Sequence, residues 1–146
     1  MQILRKAAIF GAPIADKKLI YFAYVRSTLE KGCQIWNSRL TEENKTDLER
    51  VQKAALRIIL KNKYINYNDA LEKMDLQTLD ERRTFLCLKF AKNSHTSEKT
   101  QKMFPLKNKK QNTIKGEKFK VKFARTERYR TSSIPYMQNL LNQYHV

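Results

Sequence analysis

LTEENKTDLERVQKAALRIIL, residues 40–60, decides the fold class. Leu48, Val51, Ala55, Ile58 and Ile59 recur at spacings of three and four, the period of a helix with one apolar side. Thr41 is placed to cap its start, and Glu42 and Glu43 occupy the first turn, where the helix dipole favours acids. Away from the apolar stripe, Arg50, Lys53, Arg57 and Lys61 follow at the same spacings and form a cationic ridge that only Glu49 interrupts. A soluble helix ordinarily presents mixed charge to water, so the ridge asks what anion it faces.

The neighbouring sequence extends the helical reading. Few Gly and Pro (three each) and long Leu/Ile/Lys/Glu stretches favour an all-α fold in the 146 residues, enough for one small domain. Asp16 to about Glu30 carries Leu19, Phe22 and Val25, with Tyr21, Tyr24 and Leu29 alongside, and Gly32 is placed to end that helix. CQIW at 33–36 is a short apolar run, and Trp36 is expected to be buried against the helix at 42–61. A short helix is expected from Asn68 to Met74. Thr78 and Glu81 form a capping box for another that carries Leu79, Phe85, Leu86, Leu88 and Phe90 to about Asn93. Ser133 is placed to cap a last helix with Ile134, Met137, Leu141 and Tyr144 on one face. The expected architecture is a small bundle of four to five helices with an extended basic arm and a C-terminal amphipathic helix.

Charge divides the chain. The net charge is +16. Residues 1–98 hold 18 Lys/Arg against 12 Asp/Glu, whereas 99–130 hold 12 against two, and the last sixteen hold none of either sign. The expected division is a helical bundle at 1–98, a basic and poorly structured arm at 99–130, and a docking helix at 131–146. In the arm, Phe119, Val121 and Phe123 alternate with Lys118, Lys120 and Lys122 in strand fashion, which would turn the apolar set inward and the lysines outward. Such a positive balance points to an anionic partner, nucleic acid first.

Other classes find little support. Cys33 and Cys87 form neither a CxxC motif nor a disulfide framework, which favours a reducing, intracellular compartment. The longest apolar run, AAIFGAPIA at 7–15, is too short for a bilayer and holds Gly11 and Pro13; Arg5 and Lys6 before it imitate a signal peptide only faintly. His95 and His145 have no partners at zinc-ligand spacing, and Gly11, Gly32 and Gly116 stand alone, away from any phosphate-cradling loop. No clustered carboxylates of the kind a two-metal polymerase needs are present, so neither catalysis nor a cofactor is expected. The remaining signal is basic residues interleaved with aromatics: Tyr21, Tyr24 and Arg26; Arg82, Arg83, Lys89 and Lys92; Arg125, Arg128, Tyr129 and Arg130.

Taken in order, YFAYVRSTLEKGCQIWNSRL, LERVQKAALRIIL and YINYNDALEKMDLQTLDERRTFLCLKFAK resemble the region downstream of the catalytic palm in LINE-type, jockey-like non-LTR retrotransposon reverse transcriptases. The likeness covers about residues 14–93 and, through RYRTSSIPYMQNLLN, the C-terminus. It rests on Tyr24, Arg26, Leu29, Glu30, Gly32 and Trp36, on Gln52, Lys53, Leu56 and Arg57, and on Leu79, Arg82 and Arg83; Lys31 departs from it, standing where the family usually has an aromatic. The resemblance implies a thumb-like helical domain and post-thumb segment that grips RNA or an RNA–DNA hybrid, a non-catalytic fragment of a mobile-element polymerase found in the nucleus or a cytoplasmic ribonucleoprotein. The expected phosphate contacts are Tyr24, Arg26, Arg50, Lys53, Arg57, Lys61, Arg82, Arg83, Lys118, Lys120, Lys122, Arg125, Arg128 and Arg130. The missing palm and fingers of the parent polymerase are possible partners. The alternatives are a helical module that docks on an acidic protein partner and a degenerate, non-functional retrotransposon remnant.

Overall fold

The computed structural model describes residues 1–106, 119–121 and 123–144. Among them the fold is all-α, with no strand and one isolated antiparallel bridge, Leu106 to Phe119. The helices, in order, are α1 (Gln2–Ile9), α2 (Ile14–Ile20), α3 (Ser27–Glu30), α4 (Cys33–Trp36), α5 (Glu42–Leu60), α6 (Tyr67–Met74), α7 (Leu79–Thr96), α8 (Glu127–Arg130) and α9 (Ser133–Gln143). The helical segments exceed the expected four to five because the short α1, α4 and α8 add to them and because the stretch from Asp16 to Glu30 is not one regular helix: a π-helical segment, Tyr21–Arg26, separates α2 from α3.

That π segment resets the helical phase. Tyr21 and Val25, four residues apart, are buried, while Leu19 and Tyr24 are exposed. An i→i+5 turn widens the helix and displaces the next residues around its axis. The hydroxyls of Ser27 and Thr28 donate to the carbonyls of Ala23 and Tyr24, four residues back, giving this irregular stretch additional partners. Gly32 ends the run in the left-handed region at φ +65°, as expected of a helix-terminating glycine.

The chain folds as two compact units that follow a different line from the charge break: Met1–Lys31 with Leu40–Arg82, and Gly32–Arg39 with Arg83–Val146. In the first, α5 is the central helix. The Thr41 hydroxyl accepts from Asn44 N–H and caps it. Its buried face is Gln52, Ala55, Leu56, Ile59 and Leu60, packed with Leu4 of α1, Tyr21 and Val25 of the π segment, and Ala70, Leu71 and Met74 of α6. The expected stripe is rotated slightly, for Leu48, Val51 and Ile58 sit at its margin, half-buried. Two lysines close helix ends in this unit. Buried Lys17 donates from Nζ to the Ile59 carbonyl at 2.9 Å, and Lys61 to the Ala8 carbonyl at 2.6 Å, satisfying carbonyls in the last turns of α5 and α1.

In the second unit Cys87, Ala91, Phe104, Phe119, Met137, Leu140 and Leu141 form the core. The start of α7 still belongs to the first unit, and the capping box is made there as expected: Thr78 N–H donates to Glu81 Oε2 and Glu81 N–H to Thr78 Oγ1. Further along, α7 buries Arg83, Cys87, Ala91 and Ser94, and leaves Phe85 and Phe90 largely outside. In α9 the N-cap position falls on Ser132 rather than Ser133; the Ser132 hydroxyl donates back to the Tyr129 carbonyl instead of capping. The buried face of α9 is Pro135, Met137, Gln138, Leu140 and Leu141, while Ile134 and Tyr144 lie exposed.

Phe104 and Phe119 both reach that core from the arm. The backbone of Phe119 is held at both ends by one side chain: Phe119 N–H donates to Asn142 Oδ1 at 2.9 Å, and Asn142 Nδ2 donates to the Phe119 carbonyl at 3.1 Å. The amide of Asn142 thus stands in for a neighbouring strand. The His95 ring meets Phe119 edge-on with centroids 5.0 Å apart. The expected inward set Phe119, Val121 and Phe123 is broken at its end, for Val121 is half-buried and Phe123 is 90% exposed.

Candidate nucleic-acid interface

The ridge of α5 begins with Arg50, which is exposed and pairs with Asp47 at 2.6 Å. Lys53 is half-buried, its Nζ 4.8 Å from the centre of the Tyr67 ring, and exposed Arg57 holds its guanidinium 5.4 Å from the centre of Tyr64. Such cation–aromatic contacts steady a long side chain without neutralising it, so the charge stays available to an outside anion. Lys61 combines an exposed residue position with its bond to α1. Glu49, the one acid on the ridge, turns inward. Its carboxylate accepts from the Tyr67 hydroxyl and from Leu79 N–H at the start of α7.

That carboxylate ends a chain of buried polar groups within the first unit. The Tyr21 hydroxyl donates to Gln52 Oε1, and Gln52 Nε2 donates to the Tyr67 hydroxyl at 2.9 Å and to the Gln77 carbonyl at 3.0 Å. Gln52 is 1% exposed and uses both of its amide protons. Burial pushes the Tyr21 and Tyr67 phenols above their ordinary value, and the hydrogen bond to Glu49 raises Tyr67 further. The network ties the π segment, α5, α6 and the approach to α7 into one frame, which is what holds the ridge in position.

Arg26 and Arg82 converge on one carboxylate. Arg26 Nε lies 2.8 Å and Arg82 Nε 3.3 Å from Glu30 Oε1, and the Arg26 guanidinium also stands 4.9 Å from the centre of the Phe22 ring. Both arginines line a cleft of about 310 Å³ together with Gln52, Asp75 and Gln77. The formal charges around that cleft balance, since Glu30 and Asp75 offset the two arginines. Tyr24 is 60% exposed on the π segment.

Arg83 is a correction. It is fully buried, donates from Nε to Asn37 Oδ1 at 2.9 Å and stacks 5.9 Å from the centre of the Trp36 ring, so it cannot meet a phosphate. The reason is phase: Arg83 lies four residues after Leu79 and four before Cys87, on the inward face of α7. Trp36 itself is half-buried rather than enclosed. Asn37 in turn donates to the Tyr136 hydroxyl, so α9, α7 and the segment after α4 share one polar junction within the second unit.

In the arm, Lys120, Arg125 and Arg128 are exposed. Arg130 is exposed too and grips Glu127 with two bonds of 2.8 Å, and that hydrogen bonding holds the Glu127 carboxyl below its ordinary value. Lys118 and Lys122 lie outside the described residues. The expectation that 99–130 is poorly structured falls in large part outside them as well; within them, Gln101–Met103 is a 3-10 turn and α8 is helical. Lys89 and Lys92, counted among the basic residues interleaved with aromatics but not among the expected phosphate contacts, are both exposed on α7. Counting in fours from Leu79 finds them, because that register places 83, 87 and 91 inside and leaves 85, 89 and 92 outside.

Among the described residues no group of three His, Cys, Asp or Glu side chains is placed to hold a metal ion, and no helix is long and apolar enough to cross a membrane. What the surface offers is electrostatic, and it is uneven. The first unit carries 14 Lys/Arg against 11 Asp/Glu, and the second 16 against three, which leaves +3 and +13. Comparison with protein-family models, curated proteins and solved structures found no match.

Proposed function

We propose that the protein is a non-catalytic, thumb-like module of the reverse-transcriptase kind that binds RNA or an RNA–DNA hybrid through basic helix faces and its basic arm. The observation that carries this reading is the +13 balance of the second unit, in which the described arm arginines stand at the surface. Self-repulsion at that density disfavours the compact state unless an extended polyanion is bound, and a phosphate backbone is one that offers charge at regular spacing. The ridge of α5 adds a second cationic face on the first unit, steadied by Tyr64 and Tyr67. The motif order resembling retrotransposon polymerases narrows the polyanion to RNA or its hybrid. Binding of this kind belongs where such RNA is found, the nucleus or a cytoplasmic ribonucleoprotein.

Salt dependence tests it. Affinity for RNA should fall log-linearly with salt, with a slope equivalent to several phosphates, because each neutralised phosphate releases about 0.7–0.9 of a counterion. A flat response would remove the reading. Polyglutamate that displaces the RNA stoichiometrically, together with equal affinity for RNA and for heparin, would favour an acidic protein partner instead.

A further inference from the structure

We propose that the cleft lined by Arg26, Glu30, Asp75 and Arg82 in the first unit reads an unpaired guanine of an RNA strand, with the Arg26 guanidinium on the base's O6 and N7 and the Asp75 carboxylate on its N1–H and N2–H2. The proposal rests on the nucleic-acid-binding reading and adds which base is chosen and by which residues. The cleft holds about 310 Å³, the small end of the range for ligand sites and the scale of a single base. Its polar groups are fixed but not spent. Arg26 and Arg82 both reach Glu30 through Nε and both land on Oε1, so among the described residues Glu30 Oε2 accepts no hydrogen bond and the two terminal nitrogens of Arg26 donate none. None of those atoms is sealed from solvent. Glu30 and the Phe22 ring, 4.9 Å from the guanidinium, together hold the Arg26 fork in one plane.

Asp75 is the less expected member. It ends α6 in the left-handed region at φ 50° and ψ 59°, on the negative end of the helix dipole, where a carboxylate is disfavoured. Its side chain makes neither hydrogen bond nor ion pair among the described residues. Asn or Gly would suit that position better, so a carboxylate kept there, on the wall of a cleft, calls for a ligand that brings hydrogen-bond donors. The balance of charge decides what kind. A phosphate would gain from the two arginines and lose to Glu30 and Asp75, whereas a base brings donors and acceptors without net charge. Among the four bases of RNA, guanine alone presents both two adjacent acceptors that fit a guanidinium fork, O6 and N7, and two adjacent donors that fit a carboxylate, N1–H and N2–H2. In a duplex those donors are taken by the paired cytosine, so the base that enters the cleft must be unpaired.

The test uses the full chain and two labelled RNAs, a 12-nucleotide oligouridine and the same strand with one central guanosine, read by fluorescence anisotropy at fixed salt. The guanosine strand should bind about tenfold or more tighter, the discrimination expected of a bidentate contact. Inosine at that position lacks the N2 amino group and 7-deazaguanosine lacks N7; each should remove about threefold or more of the advantage. Asp75→Asn keeps a side chain that the left-handed region accepts but cannot receive both N–H groups, so the preference should fall to about twofold or less with no drop in melting temperature. The base analogues act on the unaltered protein, so they decide the matter even where that variant melts early. Guanosine 5′-monophosphate is a further arm: a mononucleotide that displaces the guanosine strand at the strand's own concentration would assign the cleft to a free nucleotide and overturn the strand assignment. Equal affinity for the two strands, a preference that both analogues retain in full, or one that a folded Asp75→Asn leaves intact would overturn the guanine site while leaving nucleic-acid binding standing. No salt-dependent binding of either strand by the unaltered protein would overturn the site and the underlying reading together.

Discussion

Gln52 joins more elements than any apolar residue beside it on α5. Its amide receives the Tyr21 phenol and donates to Tyr67 and Gln77, so Gln52→Leu would leave the buried Tyr21 phenol without its acceptor and take one donor from the Tyr67 hydroxyl and the Gln77 carbonyl. A loss of about 2–4 kcal/mol in urea unfolding is expected, above what the volume change alone would give. Alkaline pH probes the same network. The Tyr21 and Tyr67 phenols lie above the ordinary value near 10 in the folded chain, so their contribution is fully present below pH 10 and is lost as pH rises from there. Each phenol that ionises only on unfolding steepens that loss by up to about 1.4 kcal/mol per pH unit. Tyr67→Phe should therefore lower stability at neutral pH and flatten the fall of the melting temperature between about pH 10 and 11.5; a slope equal to the unaltered protein's would place the Tyr67 phenol in solvent. Arg83 separates structure from binding at the scale of one side chain. Arg83→Ala should cost about 2–4 kcal/mol through lost buried bonding to Asn37 and leave the salt slope of RNA binding unchanged, whereas a phosphate contact would lower the slope by about one.

Elements with strong local signals were legible in the residues themselves. Thr41 at the start of α5 and the Thr78–Glu81 box at the start of α7 are local chemistry, complete within four residues, and both are made. Thr41→Ala should cost about 1 kcal/mol, measurable by thermal melting, with the loss absent if Thr41 is replaced by Asp or Ser. What was not legible depends on phase or on distant partners. Tyr21–Arg26 is π-helical, and nothing in YFAYVR announces the wider turn. Along α7 the size of Phe85 and Phe90 suggests core and the charge of Arg83 suggests surface, yet the four-residue register buries Arg83 and exposes Phe85. A buried Arg is rare enough that pattern reading starts from the wrong prior; Asn37 and Trp36, 46 and 47 positions away, help make the site tolerable. Of the candidate interface, the positions of the cations and their i,i+3 or i,i+4 acids, Asp47 for Arg50 and Glu30 for Arg26, could be read from sequence, but the distant companions could not: Tyr67 for Lys53 and Glu30 for Arg82.

At the scale of the molecule, charge and compactness are distributed differently. The first unit nearly balances its charges, and the second holds most of the excess. Arginines of the arm should then dominate salt dependence without contributing much to folding. Arg125→Gln with Arg128→Gln should lower the RNA salt slope by about two and leave the melting temperature nearly unchanged. Adding Arg130→Gln should lower it by less than one further, because Glu127 already engages that guanidinium. An unchanged slope with an earlier melt would make these arginines structural and move the binding surface to α5.

The second unit takes residues 32–39 from between two stretches of the first. A ribosome delivers that octapeptide early, yet its bonds wait for later chain: Asn37 needs Arg83, 46 positions on, and Tyr136, 99 positions on. The first unit can close once Arg82 has emerged, with the octapeptide looped out, whereas the second cannot be completed until the chain has been made as far as α9. Nascent chains halted near residue 120 should therefore protect Tyr21 and Gln52 from proteolysis or exchange and leave Trp36 accessible, and the indole should become shielded only after α9 is added. Two-part expression that cuts between Arg82 and Arg83 would likewise part the octapeptide from the unit it completes, so the two halves should regain native fluorescence of the single Trp only when mixed.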